Sequence, residues 1–174
     1  MTMIAADWTE GKSVDVTTHS GVALHIRRYQ AGDKEAMFAF FQGVAAADRT
    51  FRFPDTEGEV GSLELASLEA PATSLVAYND DGLLVASSTL TPIEREGTAD
   101  VAVSVLEPWK ARGLSWSLLE TTLDLARQAG FRRVTATEIG ADHDAINLAH
   151  RMGFATRLVS ADPVLLSLTW TIDA

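Results

Sequence analysis

The stretch from residue 99 to residue 130 changes its hydrophobic period partway along, and this change constrains the fold of the whole chain. Apolar residues first recur at every second position, which predicts a strand with at least one packed face: Ala99, Val101, Val103 and Val105. They then recur at helical spacing, which predicts a helix with one inward side: Leu114, Leu118, Thr122, Leu125, Ala126 and Ala129. Gly130 stands where a helix-ending glycine belongs.

The loop between this strand and this helix is short and basic, with Lys110 and Arg112 beside Gly113. The free N–H groups of a first helical turn, together with the helix dipole, suit a phosphate. The same residues are also typical of an ordinary strand-to-helix turn with solvated cations. The loop has neither the G-x-x-x-x-G-K-S/T nor the G-x-G-x-x-G pattern, so ATP and NAD are poorly supported.

Composition excludes several classes of protein. An apolar content of 47% over 174 residues predicts one domain with a real core. The chain has no cysteine, which excludes disulfides, a thiolate nucleophile and cysteine-ligated metals. A formal charge of −10 argues against a nucleic-acid partner and fits a cationic one, although acidity also simply favours solubility. No long apolar run or basic leader is present, so we expect no membrane contact and a cytoplasmic location.

The remaining elements are predicted from periodicity and turn residues. Residues 1–12 show no period and are expected to be a loose tail. Asp33 is expected to cap a helix that runs to about Ala47, with Met37, Phe41 and Val44 facing inward. A second helix is expected over residues 59–69 and another over 142–152, with strands over 14–26 (a hairpin), 74–79, 83–90, 134–139, 154–160 and 164–171. This order predicts an α/β mixed sheet with helices on its faces.

Two segments resemble motifs of the GCN5-related N-acetyltransferase (GNAT) family. Lys110-Ala111-Arg112-Gly113-Leu114-Ser115 resembles the pyrophosphate loop Q/R-x-x-G-x-G/A, with Lys in the first position and Ser in the last. Residues 142–154 resemble the family's N-x-x-A…G-F helix and turn, with Asp142 in the usual Asn position. Residues 46–53 and Leu24-His25-Ile26-Arg27 also resemble segments of the bacterial protein-lysine acetyltransferases, a subgroup of this family.

The resemblance implies a GNAT fold over residues 13–174, with a mixed, mostly antiparallel central sheet flanked by helices. It implies acetyl-CoA as cosubstrate, with Lys110, Ala111, Arg112, Gly113, Leu114 and Ser115 at the diphosphate and Asp142 nearby. Backbone N–H groups of Val103, Ser104 and Val105 would hold the pantetheine arm and polarise the carbonyl. The implied acceptor is a primary amine, either a protein lysine or a small molecule; a homodimer is left open.

The implied reaction is direct attack of the amine on the thioester in a ternary complex, which needs a base for the amine. Asp100 matches the position of a catalytic glutamate in the lysine-acetyltransferase subgroup, one methylene shorter; a solvent-facing carboxylate at a strand end is the alternative interpretation. Many relatives place a tyrosine acid on the last helix, where this chain has Ala149. The neighbouring His150 points about 100° away along the helix and is not expected to replace it.

Other interpretations stay open from the sequence. A non-catalytic acyl-CoA sensor is the alternative to an enzyme, favoured by Ser115, Ala149 and the short Asp100. An interaction domain that binds no CoA is the third. His143 and His150 lie near two aspartates but at no recognised ligand spacing, so no metal site is expected.

Overall fold

The computed structural model describes residues 11–44 and 71–172. Its elements, in chain order, are β1 (Ser13–Thr17), β2 (Ala23–Arg28), α1 (Lys34–Gly43), β3 (Thr73–Tyr78), β4 (Leu84–Pro92), β5 (Thr98–Val105), α2 (Leu114–Gln128), β6 (Arg133–Ile139), α3 (His143–Arg151), β7 (Ala155–Ala161) and β8 (Val164–Thr171). Short 3₁₀ helices cover Ala31–Asp33 and Glu107–Trp109. None of the helices within these ranges has the length and apolar character needed to cross a bilayer.

The strands form one eight-stranded sheet in the order β1-β2-β3-β4-β5-β6-β8-β7. Every neighbouring pair is antiparallel except β5 and β6, which are parallel. A parallel pair needs a crossover, and α2 supplies it between these two strands. The predicted mixed, mostly antiparallel sheet is therefore confirmed.

Helices α2 and α3 cover one face of the sheet. Of the alternating residues of β5 predicted to be packed, Ala99, Val101 and Val105 are buried in the same cluster as Leu118 and Leu125 of α2. Val103 is partly buried against that cluster. Helix α3 joins this face beside α2, since the Arg151 guanidinium lies 5.2 Å from the centre of the Trp116 ring. The opposite face is packed by α1, whose Met37, Phe40, Phe41 and the following Val44 cluster with Val76 and Leu84.

The end of α2 follows the sequence prediction closely. Gly130 has a left-handed φ of +84°. Its N–H donates to Arg127 O, and the next N–H, of Phe131, donates to Ala126 O. This pair of bonds is a Schellman motif, which satisfies carbonyls that the helix leaves open. Ala129, expected on the inward side, is exposed because the helix has ended at Gln128 and the chain turns away.

Two predictions about α1 are wrong. The helix ends at Gly43 rather than near Ala47, because Val44 is extended, with φ −74° and ψ +139°. Asp33 precedes α1, but its carboxylate makes no capping bond to that helix. It accepts hydrogen bonds from Arg27 instead, at 2.6 and 2.7 Å. The predicted helix over residues 59–69 and the motif over 46–53 lie outside the described ranges.

Candidate functional site

Strands β5 and β6 are paired over only three residues and then separate. The pairs are Thr98 with Arg133, Ala99 with Val134 and Asp100 with Thr135. Beyond them β5 continues to Val105, while β6 continues to Ile139 paired with β8 on its other side. Within the described ranges no strand pairs with the β6-facing edge of β5 past Asp100. The sheet therefore has a wedge-shaped cleft, and the predicted pantetheine-binding residues Val103, Ser104 and Val105 lie along it.

The loop from Lys110 to Gly113 follows β5 at the wide end of the cleft. Two of its residues are left-handed, Ala111 with φ +57° and Gly113 with φ +81°. A left-handed alanine is sterically unfavourable, and such strain persists only where the surroundings impose it. Left-handed residues in a short loop turn successive N–H groups toward a common side, as in anion-binding nests.

Four consecutive backbone N–H groups, from Gly113 to Trp116, meet no hydrogen-bond acceptor among the described residues. The N-cap of α2 is Gly113, which has no side chain to cap the helix, and the first bond onto it comes from Ser117 N–H at 3.2 Å. Open donors and the positive end of the helix dipole coincide here. This end of the cleft can therefore hold an anion through the main chain.

The two cations of the loop are less available than the sequence suggested. Lys110 Nζ lies 2.9 Å from Glu107 Oε2, and the Arg112 guanidinium lies 5.1 Å from the centre of the Trp109 ring. The Lys110 pair is exposed and weak, so a stronger anion can compete for the ammonium. The N–H groups of the main chain are thus more available to an anion than the two side-chain cations of the loop.

Asp142 lies just beyond β6, on the β6 side of the wide end of the cleft. Its Oδ1 accepts a hydrogen bond from Ala145 N–H at 3.0 Å, so the side chain caps α3. This capping role explains an aspartate at the position without any ligand. Its part in holding the cosubstrate stays a prediction.

Asp100 lies at the narrow end of the cleft, where the β5–β6 pairing stops. Its side chain points away from α2, because Ala99 and Val101 on either side face that helix. It is partly buried, and Thr135 Oγ1 donates a hydrogen bond to Oδ1 at 3.0 Å. Burial raises the pKa of Asp100, and the Thr135 hydrogen bond offsets only part of that rise. A carboxylate with a raised pKa is a better proton acceptor than a solvated one.

The candidate acid position on α3 holds no proton donor. Ala149 is 4% exposed and belongs to the main core cluster. His150 is exposed and its Nε2 contacts Thr156 Oγ1, outside the cleft. His143 is also exposed, and the described part of the chain contains no group of three or more metal-ligating side chains.

One contact of the loop was not foreseen from the sequence. The turn between β1 and β2 packs against it: Ser20 Oγ donates a hydrogen bond to Arg112 O, and His19 lies against Gly113. Ser20 and Arg112 are 92 positions apart. No local pattern relates such distant positions, so only the folded chain reveals the contact.

Comparisons with known proteins agree with this geometry. A sequence model described as "Acetyltransferase (GNAT) family" matches residues 40–154, more than half of the chain. An acetyltransferase of Pseudomonas aeruginosa is 26% identical over 136 residues, which cover 74% of this chain and 73% of the relative.

Two solved structures share the fold. The GNAT domain of S. lividans PAT has a TM-score of 0.83 at 21% identity, and the match covers 95% of this chain and 100% of that one. A phosphinothricin acetyltransferase from Sinorhizobium meliloti, solved in complex with acetyl-CoA, has a TM-score of 0.72 at 16% identity, with 86% and 88% covered. Both likenesses extend over most of the chain.

Proposed function

Because the chain belongs to the GNAT family of acetyltransferases, we propose that it transfers the acetyl group of acetyl-CoA to a primary amine, on a protein lysine or a small molecule. The supporting observation is the arrangement of one cleft. Four open N–H donors lie at its wide end and the Asp100 carboxylate lies at its narrow end.

The length of the cleft supports the same assignment. From Asp100 to Val105, β5 extends by roughly 17 Å at the usual rise per residue of a strand. An extended pantetheine arm whose diphosphate binds at the loop would lie along this part of β5, with its thioester toward Asp100. The unpaired edge of β5 offers backbone groups to the amides of that arm along its whole course.

Each step of the transfer is assigned to a group of this chain. Asp100 takes the proton of the ammonium, directly or through one water, which frees the nitrogen lone pair. The nitrogen then bonds to the thioester carbon, and backbone N–H groups on the unpaired edge of β5 beside the thioester stabilise the oxyanion. When the carbon–sulfur bond breaks, the nitrogen releases its second proton to solvent and the amide forms. The thiolate takes a proton from solvent, since Ala149 has none to give.

A second function, a non-catalytic sensor of acyl-CoA, is favoured by one observation. Both tyrosines of the chain, Tyr29 and Tyr78, lie outside α3, so the acid that many relatives place on that helix is missing. A protein that only reports occupancy needs the anion loop and the cleft but no leaving-group acid.

Calorimetry followed by a turnover assay separates these functions. We expect the full chain to bind acetyl-CoA and then to release free thiol in the presence of an amine, tested with a panel of lysine peptides and small amines. Binding without thiol release from any amine would favour the sensor. An absence of acetyl-CoA binding by the folded protein would refute both functions.

A further inference from the structure

We propose that the turn between β1 and β2 controls the affinity for acetyl-CoA, because Ser20 fixes the orientation of the Arg112–Gly113 peptide. This inference rests on the function proposed above. Ser20 is a positioning residue in it: the side chain acts through the loop and has no contact with the cosubstrate. Nothing in the GNAT motifs of residues 110–115 or 142–154 includes this turn.

The Ser20 hydroxyl is held in place by its own turn. Thr18 is 4% exposed, and its Oγ1 accepts a hydrogen bond from Val22 N–H at 3.1 Å. The Thr18 and Ser20 hydroxyl oxygens are also 3.1 Å apart. Because the Ser20 proton is directed to Arg112 O, the Thr18 hydroxyl is the donor of this second bond. The donor that meets the loop is therefore anchored to a buried residue.

The bond to Arg112 O sets the direction of the next N–H. In a planar trans peptide the carbonyl oxygen and the amide hydrogen point in opposite directions. With Arg112 O directed at Ser20, the Gly113 N–H points away from the turn, and no described residue accepts from it. A rotated peptide would present a carbonyl oxygen on that side instead. Such an oxygen would repel a phosphate that the neighbouring N–H groups attract.

The residues around this peptide make its orientation easy to change. Arg112 lies between two left-handed residues, Ala111 and Gly113, and a glycine accepts either sign of φ. His19 supplies a steric stop on the same side as Ser20, since a Cβ on Gly113 would lie 2.5 Å from His19 Nδ1. The His19 ring blocks movement of Gly113 toward the turn. The Ser20 hydrogen bond selects the orientation in which the carbonyl oxygen of the peptide, and not its N–H, faces the turn.

The expected effect follows from the net value of one hydrogen bond. Ser20→Ala should weaken acetyl-CoA binding by about 3- to 10-fold, because the open-donor orientation is then only partly populated. The KM for acetyl-CoA should rise by the same factor. At saturating acetyl-CoA kcat should be unchanged, because Ser20 lies at the loop and not at Asp100.

The test compares three variants with wild type by calorimetry with acetyl-CoA and by steady-state kinetics. Ser20→Ala removes the donor, Ser20→Thr restores a hydroxyl, and Ser13→Ala is a matched control at the far end of β1. S-acetyl-pantetheine, which lacks the diphosphate, is a second substrate. We expect a raised KM for acetyl-CoA in Ser20→Ala alone, rescue in Ser20→Thr, and equal KM values for S-acetyl-pantetheine in all four proteins.

Three results would overturn the inference: wild-type affinity in Ser20→Ala, no rescue by Ser20→Thr, or an equal loss with S-acetyl-pantetheine. The last would mean general damage to the cleft, and thermal melts check that each variant is folded. The wild-type binding measurement tests the proposed function separately. If wild type binds acetyl-CoA and Ser20→Ala binds it equally well, the function stands and the role of Ser20 fails.

Discussion

Two polar regions of this protein differ in how completely their hydrogen-bonding groups are used. Asp33, 6% exposed, accepts two bonds from the Arg27 guanidinium, one from Tyr78 Oη at 3.0 Å and one from Gln30 N–H at 2.8 Å. The start of α2 has four N–H groups in sequence, from Gly113 to Trp116, with no acceptor among the described residues. The loop before them is exposed, so these donors are accessible to an anion from solvent.

Asp33 and Asp100, the carboxylate at the other end of the cleft from this loop, differ in their proton affinity. Burial by itself would raise the pKa of Asp33, but hydrogen bonds from Arg27, Gln30 and Tyr78 together outweigh it and lower the pKa. At Asp100 burial prevails over the single bond from Thr135 and raises the pKa. The same cluster raises the pKa of Tyr78 to about 12, through burial first and the Asp33 hydrogen bond second. Asp33 thus stabilises the fold as an anion, whereas Asp100 is suited to take a proton.

The largest expected effect is at Asp100. Asp100→Asn should lower turnover by roughly 10² to 10⁴ at neutral pH while leaving acetyl-CoA affinity nearly unchanged. Stability should stay equal or rise, because an ionised carboxylate with a raised folded pKa is disfavoured by folding. Rate and affinity measured from pH 6 to pH 10 check this, with partial recovery of rate at high pH where free amine is abundant. A deficit that persists at high pH would indicate lost positioning instead.

Asp33→Asn should give the opposite result, a loss of about 2–3 kcal/mol in the free energy of unfolding with acetyl-CoA affinity kept. Folding lowers the pKa of Asp33 from 3.8, so the ionised carboxylate stabilises the folded protein fully above pH 3.8. This stabilisation is lost as the pH falls through the pKa that Asp33 has in the folded protein. Urea unfolding of both proteins should therefore differ at pH 7 and converge in strong acid. Equal stabilities at pH 7 would show that the hydrogen bonds of the Asp33 carboxylate contribute nothing to the free energy of unfolding.

Gly113→Val should weaken acetyl-CoA binding by at least about tenfold. The added side chain is strained at φ +81° and meets His19, so the loop must move from its open-donor geometry. Gly82→Val is the matched control, since Gly82 has φ +75° and open space around the new Cβ. Calorimetry of both variants separates a change in the loop from the general effect of a strained valine elsewhere in the fold. Comparable affinity losses in the two variants would mean that this general effect, and not the loop geometry, lowers binding.

Lys110→Ala should have the smallest effect, below about threefold in acetyl-CoA affinity at physiological salt. In the proposed binding mode the main chain supplies most of the anion contacts, and the ammonium must leave Glu107 before it reaches a phosphate. Calorimetry at low and high salt measures the contribution of this charge. A loss of tenfold or more would show that the side chain, rather than the open N–H groups, holds the anion.

Local features of the fold were predictable, because local sequence determines them. The strand predicted at β5 and the glycine end of α2 depend on residues a few positions apart, and both are confirmed. Local sequence predicts a simple cap at Asp33, whereas its partners Arg27 and Tyr78 belong to two different strands. The approach of Ser20 to Arg112 depends on how a hairpin docks on a distant loop. The positions of Asp100 and of residues 110–115 in one cleft need the parting of β5 and β6, which no periodicity encodes.

The short β5–β6 pairing also makes the stability of the folded protein depend on whether the cleft holds a ligand. Only three residue pairs join the two halves of the sheet along this seam, so the backbone contributes little there to holding them together. A ligand in the cleft would contact both halves and take the place of a missing strand. By mass action, a ligand at a hundred times its dissociation constant raises the free energy of unfolding by about 2.7 kcal/mol. The lifetime of the protein would then follow the supply of its own substrate.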